Sequence, residues 1–252
     1  MRITLLTDFG TADGYVAAMK GAIAEIAPSV LIDDASHNIP PGDIIGGAFA
    51  LRRYWDRYPV GSVHVVVVDP GVGTDRRAIL VEADGRFLIG PDNGVLTFAL
   101  EHAAAVKVFA ILIAQEVASK TFHGRDLFAP AAARLAINDR SMIGAEINDA
   151  IKIIFPKYYT TDSSVRGEII NIDRFGNLIS NIPGNLVKPL WIARIADREV
   201  RVMGTYGDAE AGELIALVNS DGMLEVAVRN GNAAQNLNLP RGASIELINA
   251  VM

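Results

Sequence analysis

Val63 to Val68 is apolar at nearly every position, with His64 the one polar residue inside it. A strand with one solvated face alternates apolar and polar side chains, whereas a strand covered on both faces has no need to. This run therefore predicts a strand covered on both faces. It ends abruptly at Asp69-Pro70-Gly71-Val72-Gly73. Ile3 to Leu6 reads as a second buried strand, ending in Thr7-Asp8-Phe9-Gly10. A helix follows, with Asp13 as N-cap candidate, Val16, Met19, Ile23 and Ile26 on one face, and Pro28 as its stop. Val30 to Ile32 predicts a strand ending in Asp33-Asp34, and Asp43 a cap for a helix with Ile44, Ala48 and Leu51 inward. Ala78 to Val81 and Arg86 to Ile89 flank Asp84-Gly85, a hairpin signal. Lys107 to Ile113 is a further strand, and Asp126 caps a last helix through Leu135.

This alternation predicts an open, mostly parallel α/β sheet. Such sheets bind ligands at the carboxyl ends of their strands, where the loops at Asp8, Asp33 and Asp69 are expected. Beyond Val165 the pattern changes. Arg166 to Ile172, Asn177 to Asn181, Leu190 to Ile195, Glu199 to Met203, Leu214 to Val218, Leu224 to Val228 and Ala243 to Ile248 are short strands punctuated by Gly, Asn and Asp. They predict a smaller C-terminal all-β barrel or sandwich, and the barrel is the expectation. The expected division is an N-terminal α/β domain over residues 1–157, a linker over 158–164 and a β-barrel domain over 165–252.

Composition narrows the function classes. A net charge of -6 with no basic stripe argues against nucleic acid as a partner. The chain has no cysteine, so disulfides, thiolate catalysis and Cys-ligated metals are excluded. No signal peptide is expected, because Asp8 interrupts the first apolar run. The longest apolar run, near Val108 to Ala114, falls far short of the roughly 20 residues of a membrane span. A cytoplasmic protein is the expectation.

Several side chains can carry chemistry. Asp8 directly follows a strand, where a carboxylate can accept hydrogen bonds from a ribose diol, or close an Asx turn or helix cap. The loop at Asp69 lacks the spacing and the lysine of a phosphate loop. Arg76 and Arg77 lie across that loop, close enough for one to return to Asp69, either as a structural salt bridge or as part of a site. His123, in Thr121-Phe122-His123-Gly124-Arg125-Asp126, precedes a helix and can act as a general base or water ligand, or serve structurally. Asp33, Asp34 and His37 allow a loose metal-site reading, though turn and cap roles suit the two acids better. His64 and His102 read as structural. No GxSxG elbow supports a serine hydrolase. In the second half, Asn177 offers the donor and acceptor that suit adenine's edge, and Tyr206 an aromatic face for a base; ordinary hairpin turns read the same way.

Thr7-Asp8-Phe9-Gly10, Asp69-Pro70-Gly71-Val72-Gly73 with Arg76, Phe122-His123-Gly124-Arg125-Asp126, Asp173-Arg174-Phe175-Gly176-Asn177 and Asn219-Ser220 occur in this order. As an ordered set, they resemble the S-adenosylmethionine hydroxide adenosyltransferases, relatives of the fluorinating and chlorinating enzymes. The resemblance runs through essentially the whole chain. It implies a homotrimer whose substrate lies between the N-domain of one subunit and the C-domain of its neighbour. It implies hydrolysis of S-adenosyl-L-methionine to adenosine and L-methionine, with no metal or redox cofactor. Carried over residue by residue, Asp69, Arg76 and His123 would activate water. Asp8 would hold the ribose hydroxyls, Asn177 and Tyr206 would face adenine, and Asp173 and Ser220 would hold the methionine end. Halogenating relatives carry tyrosine at the Asp69 position, and the fluorinating type a serine at the Gly124 position. A carboxylate repels halide and orients water, so the resemblance implies the hydroxide chemistry. Asp69 and His123 are both left as candidates for the proton acceptor. The competing readings are a halide-using transferase, a non-catalytic nucleoside-binding module and a metal hydrolase built on Asp33, Asp34 and His37.

Overall fold

The computed structural model describes residues 1–112, 119–188 and 190–249; the expected strand end at Ile113 lies outside them. The chain divides into two compact units, Met1–Ile153 and Ile154–Met252. The division falls just ahead of the expected linker, and Tyr159–Thr160 within that linker pair with a strand of the second unit.

The first unit is a seven-stranded sheet. Its elements are β1 (Arg2–Thr7), α1 (Tyr15–Ile26), β2 (Leu31–Ser36), α2 (Ile44–Arg52), β3 (Val63–Val67), β4 (Ala78–Ala83), β5 (Arg86–Pro91), α3 (Thr97–His102), β6 (Val106–Ile111), α4 (Ala129–Ala136) and β7 (Ile143–Ile147). The strand order is β2-β1-β3-β5-β4-β6-β7. β3 is an interior strand, between β1 and β5, and its two faces feed two cores. Val63, Val65 and Val67 pack with α1 and α4, while Val66 and Val68 pack with Leu51 of α2 and Ala99 of α3. That is the physical reason the run lacks alternation.

The sheet is not mostly parallel. The β2–β1, β1–β3 and β3–β5 pairings are parallel, and β5–β4, β4–β6 and β6–β7 are antiparallel. The reversal starts at Asp84-Gly85, where both residues have positive φ, 47° and 75°. A two-residue turn of that hand closes a hairpin and is too short for a parallel crossover. The Asp84 carboxylate also accepts from the backbone N–H groups of Ala104 and Ala105, which ties the approach to β6 to the same turn.

Three local expectations are corrected. Asp13 does not cap α1; the cap position is Gly14, with φ 75°, so the chain enters the helix one residue later. Asp126 does not cap the last helix either. A π-turn over Gly124–Phe128 runs straight into α4, and Asp126 lies inside it, accepting from the Ser119 N–H and pairing with Arg125. Asp33 and Asp34 are strand residues of β2, opposite Thr4 and Leu5, rather than the loop that ends it. They are tolerated there because β2 is an edge strand and Arg2 and Lys20 meet them. Asp43 does cap α2, accepting from the Gly46 N–H.

The second unit contains β8 (Tyr159–Thr160), β9 (Ser164–Ile172), β10 (Leu178–Pro183), β11 (Trp191–Ile195), β12 (Arg198–Arg201), β13 (Leu214–Val218), β14 (Met223–Val228), α5 (Ala233–Leu237) and β15 (Ser244–Asn249). The order is β12-β11-β15-β9-β10-β14-β13, with β8 on β9, and every strand pairing is antiparallel. Val202 bridges Ala216, and the Met203 N–H donates to the Ala216 carbonyl, so the two ends nearly close into a barrel. Leu178, Trp191, Val226 and Leu247 are among the residues that fill it.

Candidate active site

β1 and β3 are parallel and in register, with Thr7 opposite Val67. The loops that follow therefore leave the sheet at the same end. β4 begins there too, because Ala78 pairs with Pro91 at the end of β5. This placement returns Arg76 to Asp69. The Arg76 Nε donates to both Asp69 oxygens, at 3.0 and 3.1 Å, and Nη2 donates to Oδ2. The same Nη2 lies 2.7 Å from the His123 Nδ1. The pair is buried, with 9% of the Arg76 side chain and 4% of the Asp69 side chain exposed. Arg77 points the other way, to Asp92 and Asp149, and is the structural arginine of the two. Consecutive side chains in extended chain leave on opposite sides, which separates the two roles.

The Arg76 contact fixes the histidine's protonation. Guanidinium has donors only, so the His123 Nδ1 must accept and the ring proton sits on Nε2. The surroundings agree. Burial first, and the Arg76 charge second, hold the His123 pKa below the ordinary histidine value, against smaller upward pulls from Asp69 and Asp126. His123 is thus a neutral imidazole offering an N–H.

Asp69 and His123 line a cavity of about 390 Å³ whose other walls include Phe9, Tyr15, Val67, Val72, Phe122 and Gly124. Phe9, Tyr15 and Phe122 pack edge to face, with centroids 5.1 to 6.0 Å apart. Such contacts contribute about 1 kcal/mol each beyond burial and keep the wall rigid. These aromatics were not singled out from the sequence. Phe9 and Phe122 sit within segments that drew attention for their polar neighbours. Two glycines stand where an added side chain would meet close neighbours. Gly73 has φ 81°, and a Cβ there would meet the Lys120 carbonyl oxygen at 2.7 Å. A Cβ on Gly124 would stand 3.0 Å from the Phe9 ring and 3.2 Å from the Phe122 ring, so any side chain at 124 presses on both.

Asp8 follows β1, but its Oδ2 accepts from the Gly42 N–H at 2.7 Å, bracing the loop ahead of α2. Behind it, the Phe9 N–H donates to the Thr7 Oγ1, which meets the His37 Nδ1 at 2.9 Å, and the His37 Nε2 meets Asp34. Asp33 is turned to Arg2 instead, so Asp33, Asp34 and His37 do not converge. No group of three or more metal-ligating side chains occurs among the described residues. No helix among them is long and apolar enough to cross a membrane.

The other expected residues belong to the second unit. The Asp173 carboxylate accepts from the N–H groups of Phe175 and Asn177 and from the Asn177 Nδ2, shaping the turn into β10. Gly176, with φ 81°, lets that turn pack on Asn232, which any Cβ would strike. Tyr206 is 43% exposed, and Ser220 is exposed at the β13–β14 turn.

Comparison with known proteins identifies the family. The SAM hydroxide adenosyltransferase N-terminal domain matches residues 3–143 and the corresponding C-terminal domain residues 167–246. An (R)-S-adenosyl-L-methionine hydrolase from Salinispora tropica is 38% identical over 254 residues, 95% of each chain. A fluorinase from an Actinoplanes species is more distant, 26% identical over 98% of this chain and 97% of its own. A crystal structure of a conserved protein from Thermotoga maritima superposes with a TM-score of 0.87 at 34% identity, covering 98% of this chain and 99% of that one. The chain belongs to the SAM hydroxide adenosyltransferase family.

Proposed function

We propose that this chain hydrolyses S-adenosyl-L-methionine to adenosine and L-methionine. The observation that carries the reading is the Asp69–Arg76–His123 cluster, whose Asp69 and His123 line the cavity. Water's oxygen bonds to the ribose C5′ as the C5′–S bond breaks. The bond's electron pair goes to sulfur, and one proton is released. Methionine leaves as a neutral thioether, so the leaving group needs no acid. The weak nucleophile is the difficulty, and positioning addresses it.

Asp69 is the proton acceptor in this reading. The His123 Nδ1 is committed to Arg76, and its Nε2 carries a proton, so His123 donates to the water oxygen and orients it. The Asp69 carboxylate keeps lone pairs beyond those that Arg76 uses. As Asp69 draws off the proton, the hydroxide-like oxygen gives up its negative charge to the new bond while the sulfonium loses its positive charge, and the aromatic wall favours that cancellation. Asp8 would hold the ribose hydroxyls, and Asp173 and Ser220 the methionine end. Asn177 directs its Nδ2–H to Asp173, leaving Oδ1 to accept from the adenine amino group, with Tyr206 on the adenine face. The scheme uses no metal or redox cofactor. Its working form is a homotrimer. A cytoplasmic setting suits a chain without cysteine.

A halide-using reaction is the reading to beat. The buried Asp69 carboxylate repels an anion, and Gly124 has no room for a serine unless Phe9 and Phe122 move. Product analysis with S-adenosylmethionine in chloride buffer decides between them. Adenosine and methionine are expected; a 5′-chlorinated nucleoside refutes the assignment, and tight binding without product would make the chain a nucleoside-binding module.

A further inference from the structure

Leu224-Glu225-Val226 places an acid in the middle of a strand, and Glu225 is only 2% exposed. Burying a carboxylate is costly unless its oxygens are well paired, so such a group needs a reason to be there. Glu225 stands on β14 opposite Leu217 of β13 and Ile179 of β10. Its side chain shares a face with Ala227, which packs in a small outer cluster with Ala209, Ile215 and Leu217. Leu224, Val226 and Val228 fill the barrel on the other face.

Each Glu225 oxygen accepts from a different loop. The Tyr206 hydroxyl donates to Oε1 at 2.5 Å, and the Asn219 Nδ2 donates to Oε2 at 3.1 Å. Tyr206 starts a single 3-10 turn, Tyr206–Asp208, closed by a reciprocal Thr205–Asp208 capping box. With its hydroxyl tethered, the ring still keeps 43% of its surface open. The Asn219 Oδ1 accepts from the N–H groups of Asp221 and Met223, both at 3.0 Å, and so shapes the turn that exposes Ser220. One buried carboxylate thus fixes the azimuth of an open aromatic face and the conformation of a neighbouring turn.

We infer that Glu225 is a positioning residue that sets Tyr206 and the Ser220 turn as one rigid substrate platform. This rests on the reading above in which Tyr206 faces adenine and Ser220 the methionine end. Glu225, buried on its strand, acts in this reading through Tyr206 and Asn219. A hydrogen-bonded platform made in advance lowers the ordering cost of binding and leaves the chemical step alone. Its removal therefore weakens binding and leaves turnover intact.

The test compares E225Q, Y206F and the double variant in the full-length protein. Glutamine keeps the shape and one acceptor but sets an N–H₂ against one of the two donors. E225Q is expected to raise the KM for S-adenosylmethionine about ten-fold with kcat within about two-fold, and Y206F to do much the same. In the Y206F background, E225Q should raise KM by clearly less than it does alone, because the Tyr206 contact is already lost and only the Asn219 contact is left to disturb. Adenosine affinity by calorimetry should fall in parallel. An unchanged KM and adenosine affinity in E225Q, an equal fall in kcat, or full additivity with Y206F overturns the inference, whatever happens to the melting temperature. Wild-type protein that binds adenosine without hydrolysing S-adenosylmethionine sinks the hydrolase reading alone, since the calorimetric comparison still reads the coupling. Wild-type protein that does not bind adenosine sinks both.

Discussion

Arg76 grips Asp69 and His123 with one guanidinium, so the position of each side chain depends on the other two. The buried pair also contributes to the fold, because removing one partner of such a pair strands the other charge. Asp69→Asn is expected to lower kcat by roughly 10² to 10⁴ while KM changes little. Arg76→Lys should lose about 10² in kcat, since an ammonium cannot hold the carboxylate in a fork and reach the imidazole as well. Steady-state kinetics beside melting curves separate these effects from unfolding. Full rate in both variants would remove the cluster from the mechanism. In sequence, Asp69, Arg76 and His123 were legible as residue types at strand ends. Which arginine served was not legible from the residues themselves, only from the family's motif spacing, because Arg76 and Arg77 are adjacent and only the side each faces tells them apart. Nor was the tautomer of His123, which follows from a contact between residues 47 positions apart. Glu225 did leave a trace, a charge inside the apolar Leu224–Val228 strand, but its two loop partners lie 19 and 6 residues away.

At the scale of elements, β3 shows how burial on both faces constrains a polar residue. His64 is fully buried, facing Tyr54 and Tyr58, with its Nδ1 2.8 Å from the Thr4 hydroxyl on β1. Burial is the main cause, and the Arg86 charge the second, of a pKa lowered from 6.5 to about 4. Between those values the unfolded chain binds a proton that the folded chain refuses. Stability from this group is therefore complete above about pH 6.5 and lost as pH falls toward 4, by about 3 kcal/mol in all. His123, also shifted down, adds in the same direction. His64→Asn should flatten the slope, read from urea midpoints at about pH 5 and about pH 7.5. An unchanged slope would show that His64 does not titrate in folding. The strongest strands and both sets of inward helix residues were readable from periodicity. The six-residue α3 and the edge strand β7 were not: α3 starts without a side-chain cap, and no residue of β7 is fully buried. The supposed caps at Asp13 and Asp126 failed for a local reason, since a left-handed glycine and a π-turn shift the helix start away from the acid.

For the whole molecule, the change from α/β alternation to short strands was the clearest signal in the sequence. It corresponds to two units, each with its own core. The proportion of parallel pairing was misjudged. The hairpin at Asp84-Gly85 was legible, but the antiparallel pairings of β6 with β4 and β7 were not, since apolar runs look alike in either direction. The family assignment rests on both units together, matched in order along the chain. Its central chemical claim is that the nucleophile is water held by Asp69 and His123. The most direct measurement is turnover of S-adenosylmethionine in water enriched in the heavy oxygen isotope, with mass analysis of both products. The account predicts one label in adenosine, at the 5′ oxygen, and none in methionine. Adenosine formed without label, or a 5′ position carrying halide, would contradict it.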